Sequence, residues 1–263
     1  MTEEAHGFTI RSLVRGLRVL QAFDGATNQL TLTEIAALVD LPLPTASRIA
    51  RTLEEEGFLE RDEQGAFRLG PVLLRLAAVV REGTDLLPVA RGPLQKLADN
   101  TNETTNLSVL DGTRILYLLR IRNADLVTAD IRVGSTLPAS CTSMGKLLVA
   151  LLPDERLSAR LPELDFTAGR GPRAIRNQHR FRDEIRQIRE QGWALQDEEL
   201  ELGLRSVAAP IRAGAKALAA INLAVPAARW SADELIRHFL PEVIATAQEI
   251  SAELSTRPYG NRP

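Results

Sequence analysis

A chain of 263 residues, 44% hydrophobic and 25% charged, is long enough to bury a sizeable core and to hold two domains. A single cysteine, Cys141, rules out an internal disulfide and any multi-cysteine zinc site, and His6, His179 and His238 lie too far apart for ligand spacing, so no metal is expected. No apolar run nears the roughly 20 residues a bilayer needs, the start is not a basic-then-apolar signal, and a formal net charge of −2 leaves any attraction for nucleic acid to local charge; a cytoplasmic chain with no membrane partner is expected.

Between Ile10 and Phe23, the apolar residues Leu13, Val14, Leu17, Leu20 and Ala22 recur at helical intervals, with Arg11, Arg15 and Arg18 on another side. After a turn-like stretch at 24–29, Thr33 is placed to cap a short helix carrying Ile35, Ala36, Leu38 and Val39, ending near Asp40. Pro42 and Pro44 forbid simple continuation. Pro44 suits the first turn of a third helix, with Ala46, Ile49, Ala50 and Leu53 inward and a stop at Gly57. Residues 58–61 and 66–69, joined by a Gly-bearing turn, read as a β-hairpin, and the order helix, helix, turn, helix, hairpin is that of a winged helix.

Gly70 and Pro71 open a further helix with Leu73, Leu76, Ala77 and Val80 on one face, halted at Gly83, and the domain boundary is placed there. Beyond it, 89–100 reads as helix, and 106–110, 114–121 and 127–133 as strands. A helix over 143–152 and one marked by Phe181, Ile185 and Ile188 up to Gly192 follow. Strands come at 193–195, 206–211 and 218–225. Ser231 and Glu234 form a capping box, Pro241 either kinks that helix or starts the final one through Leu254, and the last residues fray. The fold class is α+β: residues 10–70 read as a winged helix-turn-helix, 71–84 as a linker helix, and 85–255 as a mixed α/β domain.

A recognition helix needs one packing face and an opposite face of short polar and basic side chains that can reach base edges and phosphates. In the third helix Thr45, Ser47, Arg48, Arg51 and Thr52 point outward, and Arg48 and Arg51 are placed to pair with guanine or phosphate. Residues 1–70 hold seven arginines against eleven acidic residues. The arginines, including Arg15, Arg61 and Arg68, lie on elements that can face double-stranded DNA, whereas Glu54, Glu55 and Glu56 sit at the far end of the helix. Few phosphates can be neutralised, so modest affinity is expected. The alternative is an interaction module with a solvated charged face.

In the second half, Ser143 stands three residues before Lys146, the spacing that sets a nucleophile beside its base. No Lys-Thr-Gly or Ser-Asp-Asn partner accompanies it, so a Ser/Lys acyl hydrolase is the weaker alternative and no catalytic residue or cofactor is assigned. Thr142 and Ser143 open a helix whose free N–H groups suit a carboxylate, or act as an ordinary cap. Asp197, Glu198, Glu199 and Glu201 lack the spacing of a calcium loop and read as an acidic edge with one member paired to Arg205. Asn222, on an otherwise apolar strand, needs a partner from ligand, water or backbone.

Four stretches together resemble the IclR family of bacterial regulators from Arg11 to Leu254: Ser-Leu-Val-Arg-Gly-Leu-Arg-Val-Leu at 12–20, Leu-Thr-Leu-Thr-Glu-Ile-Ala at 30–36, Leu-Pro-Ala-Ser-Cys-Thr-Ser-Met-Gly-Lys at 137–146, and Asp-Glu-Glu-Leu-Glu-Leu-Gly-Leu-Arg-Ser-Val-Ala-Ala-Pro at 197–210. The resemblance implies a winged-helix N-domain and a GAF-like effector domain, homodimers or dimers of dimers on operator DNA, and no catalysis. It places the effector pocket on Ser143 and Met144, on Gln196 and Asp197, on Ser206, and on Asn222 with Ala224, beside Thr142. The last two stretches look most like the branch regulating aromatic-acid breakdown through protocatechuate and β-ketoadipate. The chain departs from the family pattern in the short hairpin at 211–217 and in having Asn222 where relatives binding very small acids have a small hydroxyl residue.

Overall fold

The computed structural model describes residues 9–23, 28–82, 85–122, 131–214 and 216–256, and its contacts divide the chain into two units between Thr84 and Asp85. The first unit contains α1 (Arg11–Gln21), α2 (Leu32–Leu38), α3 (Leu43–Glu55), the strands β1 (Leu59–Arg61) and β2 (Phe67–Leu69), and α4 (Val72–Glu82). Thr31, not Thr33, caps α2. Its hydroxyl accepts from the Glu34 amide while the Glu34 carboxylate accepts from the Thr31 amide at 2.7 Å, a reciprocal box that Thr33, with Ala36 three residues on, cannot form. The chain then turns through Asp40 at φ +51°, and Leu41 N–H bonds back to Ala36 C=O. Pro42 and Pro44 occupy the cap and first turn of α3, where no amide donor is needed.

In the hairpin the Asp62 carboxylate accepts from the amides of Gln64 and Ala66, and Leu30 adds a third short rung through two bonds with Phe67. Val19, Leu30, Ile35, Ala50, Leu59 and Phe67 form the buried cluster. On α1 the buried residue is Val19, whereas Leu13 and Leu17, expected to pack, are 58% and 49% exposed. On α4, Leu76 and Ala77 of the expected face are also exposed, as are Leu74 and Val79; Leu73 is half-buried, and the side chain of Val80 lies outside those described.

The second unit runs α5 (Leu86–Thr101), β3 (Thr104–Asp111), β4 (Arg114–Ile121), β5 (Thr136–Pro138), α6 (Ser143–Ala150), α7 (Asp154–Arg160), α8 (Gln178–Gln191), β6 (Ala194–Asp197), β7 (Leu204–Ala213), β8 (Lys216–Pro226), α9 (Ala232–His238) and α10 (Leu240–Thr256). The six strands form one antiparallel sheet in the order β5-β4-β3-β8-β7-β6. Helices α5, α9 and α10 cover one face over Leu107, Leu119, Val207, Ile221, Leu223 and Val225; α6 and α8 pack on the other.

Several expectations shift. Residues 127–130 of the expected strand at 127–133 lie outside the described residues, 131–133 are not strand, and the edge strand is β5 instead. The helix expected over 143–152 stops at Ala150, Pro241 starts α10 rather than kinking a longer helix, and α7 was not foreseen. Strand β6 extends to Asp197, which pairs with Arg205 on β7, so this acidic residue belongs to the sheet and not to a loop. In the short β7–β8 hairpin the register slips once, between Ile211 and Arg212.

Candidate functional site

Side chains on a strand alternate between faces, yet β4 breaks that rule. Leu119 pairs with Leu107 and Tyr117 with the next residue, Ser108, so Leu118 is an extra residue bulged out of the ladder. The bulge lets Tyr117 and Arg120 share one face although three positions apart. That face also carries Asn106, Asn222, Ala224, Ser206 and Gln196, and with Ile131, Thr142, Leu200 and Leu204 these residues line a tight cavity of about 20 Å³.

A run of hydrogen bonds crosses the cavity floor. Arg120 Nη1 donates to Asn106 Oδ1 at 3.2 Å, Asn106 Nδ2 to Asn222 Oδ1 at 2.7 Å, and Asn222 Nδ2 to Ser143 Oγ at 3.3 Å, while the Ser143 and Ser206 hydroxyls lie 2.7 Å apart. Register explains the central link, since Asn106 and Asn222 face each other across β3 and β8. Asn222 thus has its partners in Asn106 and Ser143. Burial lowers the pKa of Arg120 and raises that of Tyr117 above the ordinary phenol value, so the phenol stays neutral. Among the described lining residues Arg120 is the cationic one, and none is a carboxylate.

Of the sequence-predicted effector residues, the structure brings Thr142, Gln196, Ser206, Asn222 and Ala224 together on the cavity wall. Thr142 also caps α6, accepting from the Gly145 amide. Ser143 reaches the wall only through its bonds to Ser206 and Asn222. Met144 does not line the cavity: it is wholly buried in the core beneath α6, its sulfur accepting from Ser108. Asp197 is not a lining residue either. Adjacent to Gln196 on β6, its carboxylate is held by Arg173 and by Arg205 at 2.6 Å, and Glu198 also bonds Arg205.

Lys146 is 1% exposed and its Nζ donates to Glu184 at 2.6 Å and Glu199 at 2.5 Å. The ammonium is thereby occupied by two carboxylates, and Ser143 bonds Ser206 and Asn222; the nucleophile-and-base contact that acyl transfer requires is not made. Burial pushes the Cys141 thiol up to about 11, which keeps it protonated. Among the described residues, no group of three His, Cys, Asp or Glu is placed to hold a metal ion, and no helix is long and apolar enough to cross a membrane.

In the first unit, Ala46 and Ala50 of α3 are buried, Thr45 is half-buried, and Ser47, Arg48, Arg51 and Thr52 are exposed. A groove between α1 and α3 brings Arg15, Thr45, Arg48 and Thr52 together. Arg61 and Arg68 lie instead in a separate concavity beside the hairpin, with Glu54 and Glu60. Three of the arginines expected to face DNA have acidic neighbours: Arg51 pairs with Glu55 at 3.0 Å, Arg61 with Glu54 at 4.0 Å and Arg68 with Glu60 at 2.8 Å. All three pairs are solvent-exposed, so exchanging a carboxylate for a phosphate costs little.

Residues 12–63 match the IclR helix-turn-helix domain, and residues 78–252 match the bacterial transcriptional regulator IclR C-terminal domain. The chain belongs to the IclR family of bacterial transcriptional regulators. It is 35% identical to the Pca regulon regulatory protein of Pseudomonas putida over 92% of this chain and 84% of that one, and 32% identical to the regulator XynR of Escherichia coli over 86% and 90%. An IclR homolog from Microbacterium hydrocarbonoxydans, solved in complex with 4-hydroxybenzoate, superposes with a TM-score of 0.81 at 25% identity, covering 94% of this chain and all of that one.

Sequence reasoning about this IclR-family chain missed Asn106, Tyr117, Arg120, Ile131, Leu200 and Leu204 on the cavity wall. Asn106 carried the same signal as Asn222, a polar residue within a strand. Arg120 carried none: strict alternation along β4 sets it on the face opposite Tyr117, and only the bulge at Leu118 reverses that.

Proposed function

We propose that this regulator binds double-stranded operator DNA through the exposed face of α3, as a cytoplasmic homodimer or dimer of dimers, and that a small carboxylate in the sheet-face cavity alters that binding. The effector is an aromatic acid, and the genes controlled serve aromatic-acid catabolism of the β-ketoadipate kind. One observation carries the effector reading: a cavity walled by neutral groups in which Arg120 is the lining cation and no lining residue is a carboxylate, among the described residues. Such a site favours one negative charge on an otherwise apolar or hydroxylated molecule. The kinship with a Pca regulon regulator and with a homolog holding 4-hydroxybenzoate supports the aromatic choice. Paired reading heads would meet half-sites about one helical turn apart, roughly 34–36 Å, or a multiple of it.

Calorimetric titration of benzoate and 4-hydroxybenzoate into the full chain and into Arg120→Gln tests the sensor. Loss of a charge-assisted bond predicts affinity lower by about 10- to 100-fold in the variant. Equal affinity in the two proteins would remove Arg120 from the site, and acids that bind neither protein would remove the aromatic reading.

A further inference from the structure

Gln196 is 1% exposed and lines the cavity, and neither its amide nitrogen nor its amide oxygen has a hydrogen-bond partner. Buried amides are rarely left in that state, because both groups have been stripped of water with nothing in exchange. Its neighbours are committed elsewhere: the Ser206 hydroxyl, across the β6–β7 ladder, is engaged with Ser143, and the Asp197 carboxylate is taken by Arg173 and Arg205. Whatever satisfies Gln196 comes from the cavity.

Building on the reading of the cavity as a site for an aromatic acid, we infer that Gln196 selects a hydroxyl group at the end of the effector remote from its carboxylate. A single hydroxyl donates to Oε1 and accepts from Nε2 at once, so one small group satisfies both orphaned atoms. A carboxylate does not, since it has no proton for Oε1 and would set one negative oxygen against another. Arg120, at the other end of the lining, favours the carboxylate there.

Sheet topology sets the length of the ligand. Arg120 on β4 and Gln196 on β6 are separated by β3, β8 and β7, four inter-strand steps or about 19 Å along a flat sheet. Both side chains nevertheless line the one tight cavity, which must widen to admit a ring whose two polar groups, at opposite ends, meet both. An acid of two or three carbons touches one end only.

The test compares 4-hydroxybenzoate, benzoate and 4-fluorobenzoate by calorimetry on the full chain and on Gln196→Met, which keeps the length of the side chain and removes both polar atoms. The unaltered chain should prefer the hydroxylated acid by at least about tenfold, and the preference should shrink toward none in the variant, chiefly through weaker binding of 4-hydroxybenzoate. If the ring acids bind but the hydroxyl confers no preference, or the preference survives in Gln196→Met, the role of Gln196 is overturned and the aromatic reading stands. If no ring acid binds the unaltered chain, both fall. Should Gln196→Met fail to fold by circular dichroism, the assigned side-chain NH₂ resonances of Gln196 decide: they should move on adding 4-hydroxybenzoate and far less with benzoate, and equal shifts would overturn the inference.

Discussion

Lys146 shows how a residue type can suggest one chemistry and its surroundings another. Beside Ser143 in sequence it has the spacing of a catalytic base, yet it lies buried between Glu184 and Glu199, one cation against two carboxylates. Removing it in Lys146→Met leaves Glu199 uncompensated in the interior, and unfolding free energy should fall by about 3–5 kcal/mol; a loss below about 1 kcal/mol in urea unfolding would mean that the triad contributes little. Burial holds the Glu199 carboxyl above its ordinary 4.5 despite Lys146. The folded chain therefore binds that proton more readily than the unfolded one, so the associated stability is complete below pH 4.5 and is lost as pH rises through the folded value. Glu199→Gln removes this dependence, and its stability relative to the unaltered chain should improve as pH rises from 4.5 toward neutrality; a gap that stays constant would contradict the shift. None of this was legible in the sequence, because an S-x-x-K spacing says nothing of the carboxylates that arrive 38 and 53 residues later.

At the scale of elements, the helical period of α3 could be read from Ala46, Ile49, Ala50 and Leu53 because its packing face is continuous and Pro44 marks its start. The start of α2 was misread because both Thr31 and Thr33 are plausible caps by residue type, and only the Glu34 three residues after Thr31 separates them. Thr31→Ala should lower stability by about 1 kcal/mol while Thr33→Ala changes it little, a contrast that thermal melts of the two variants resolve. On α1, spacing alone could not distinguish Leu13 and Leu17 from Val19, since a seventy-residue winged unit buries only one stripe of that helix. For α3 itself, the proposed contact with DNA predicts a definite salt response. Replacing Arg48 and Arg51 by Ala should weaken operator binding and, if both meet phosphates, reduce the slope of log affinity against log salt by about 1.8. A weakened complex with an unchanged slope would assign the two arginines to base edges, and unchanged binding would reject the face.

Across the whole molecule, the proposed coupling of cavity to operator makes a quantitative demand. If the effector changes operator affinity by some factor, operator must change effector affinity by the same factor. Titrating the acid into the free regulator and into its DNA complex measures both sides of that cycle, and a shift on one side alone would show that the ligand acts elsewhere. The two-part architecture was legible because the balance of strand to helix changes beyond residue 84, whereas the chemistry of the cavity was not, because it depends on how six strands are stacked and not on any one of them. Leu118 illustrates the point. Drawing that residue into the ladder in place of the bulge would leave the layers and most of the strand intact, yet it would restore strict alternation and turn the guanidinium of Arg120 toward the oily layer beneath α5 and α10. The sensor's charge preference would then vanish although no polar residue had been replaced. An aliphatic side chain that never meets the ligand thus sets its polarity by occupying a place in the count.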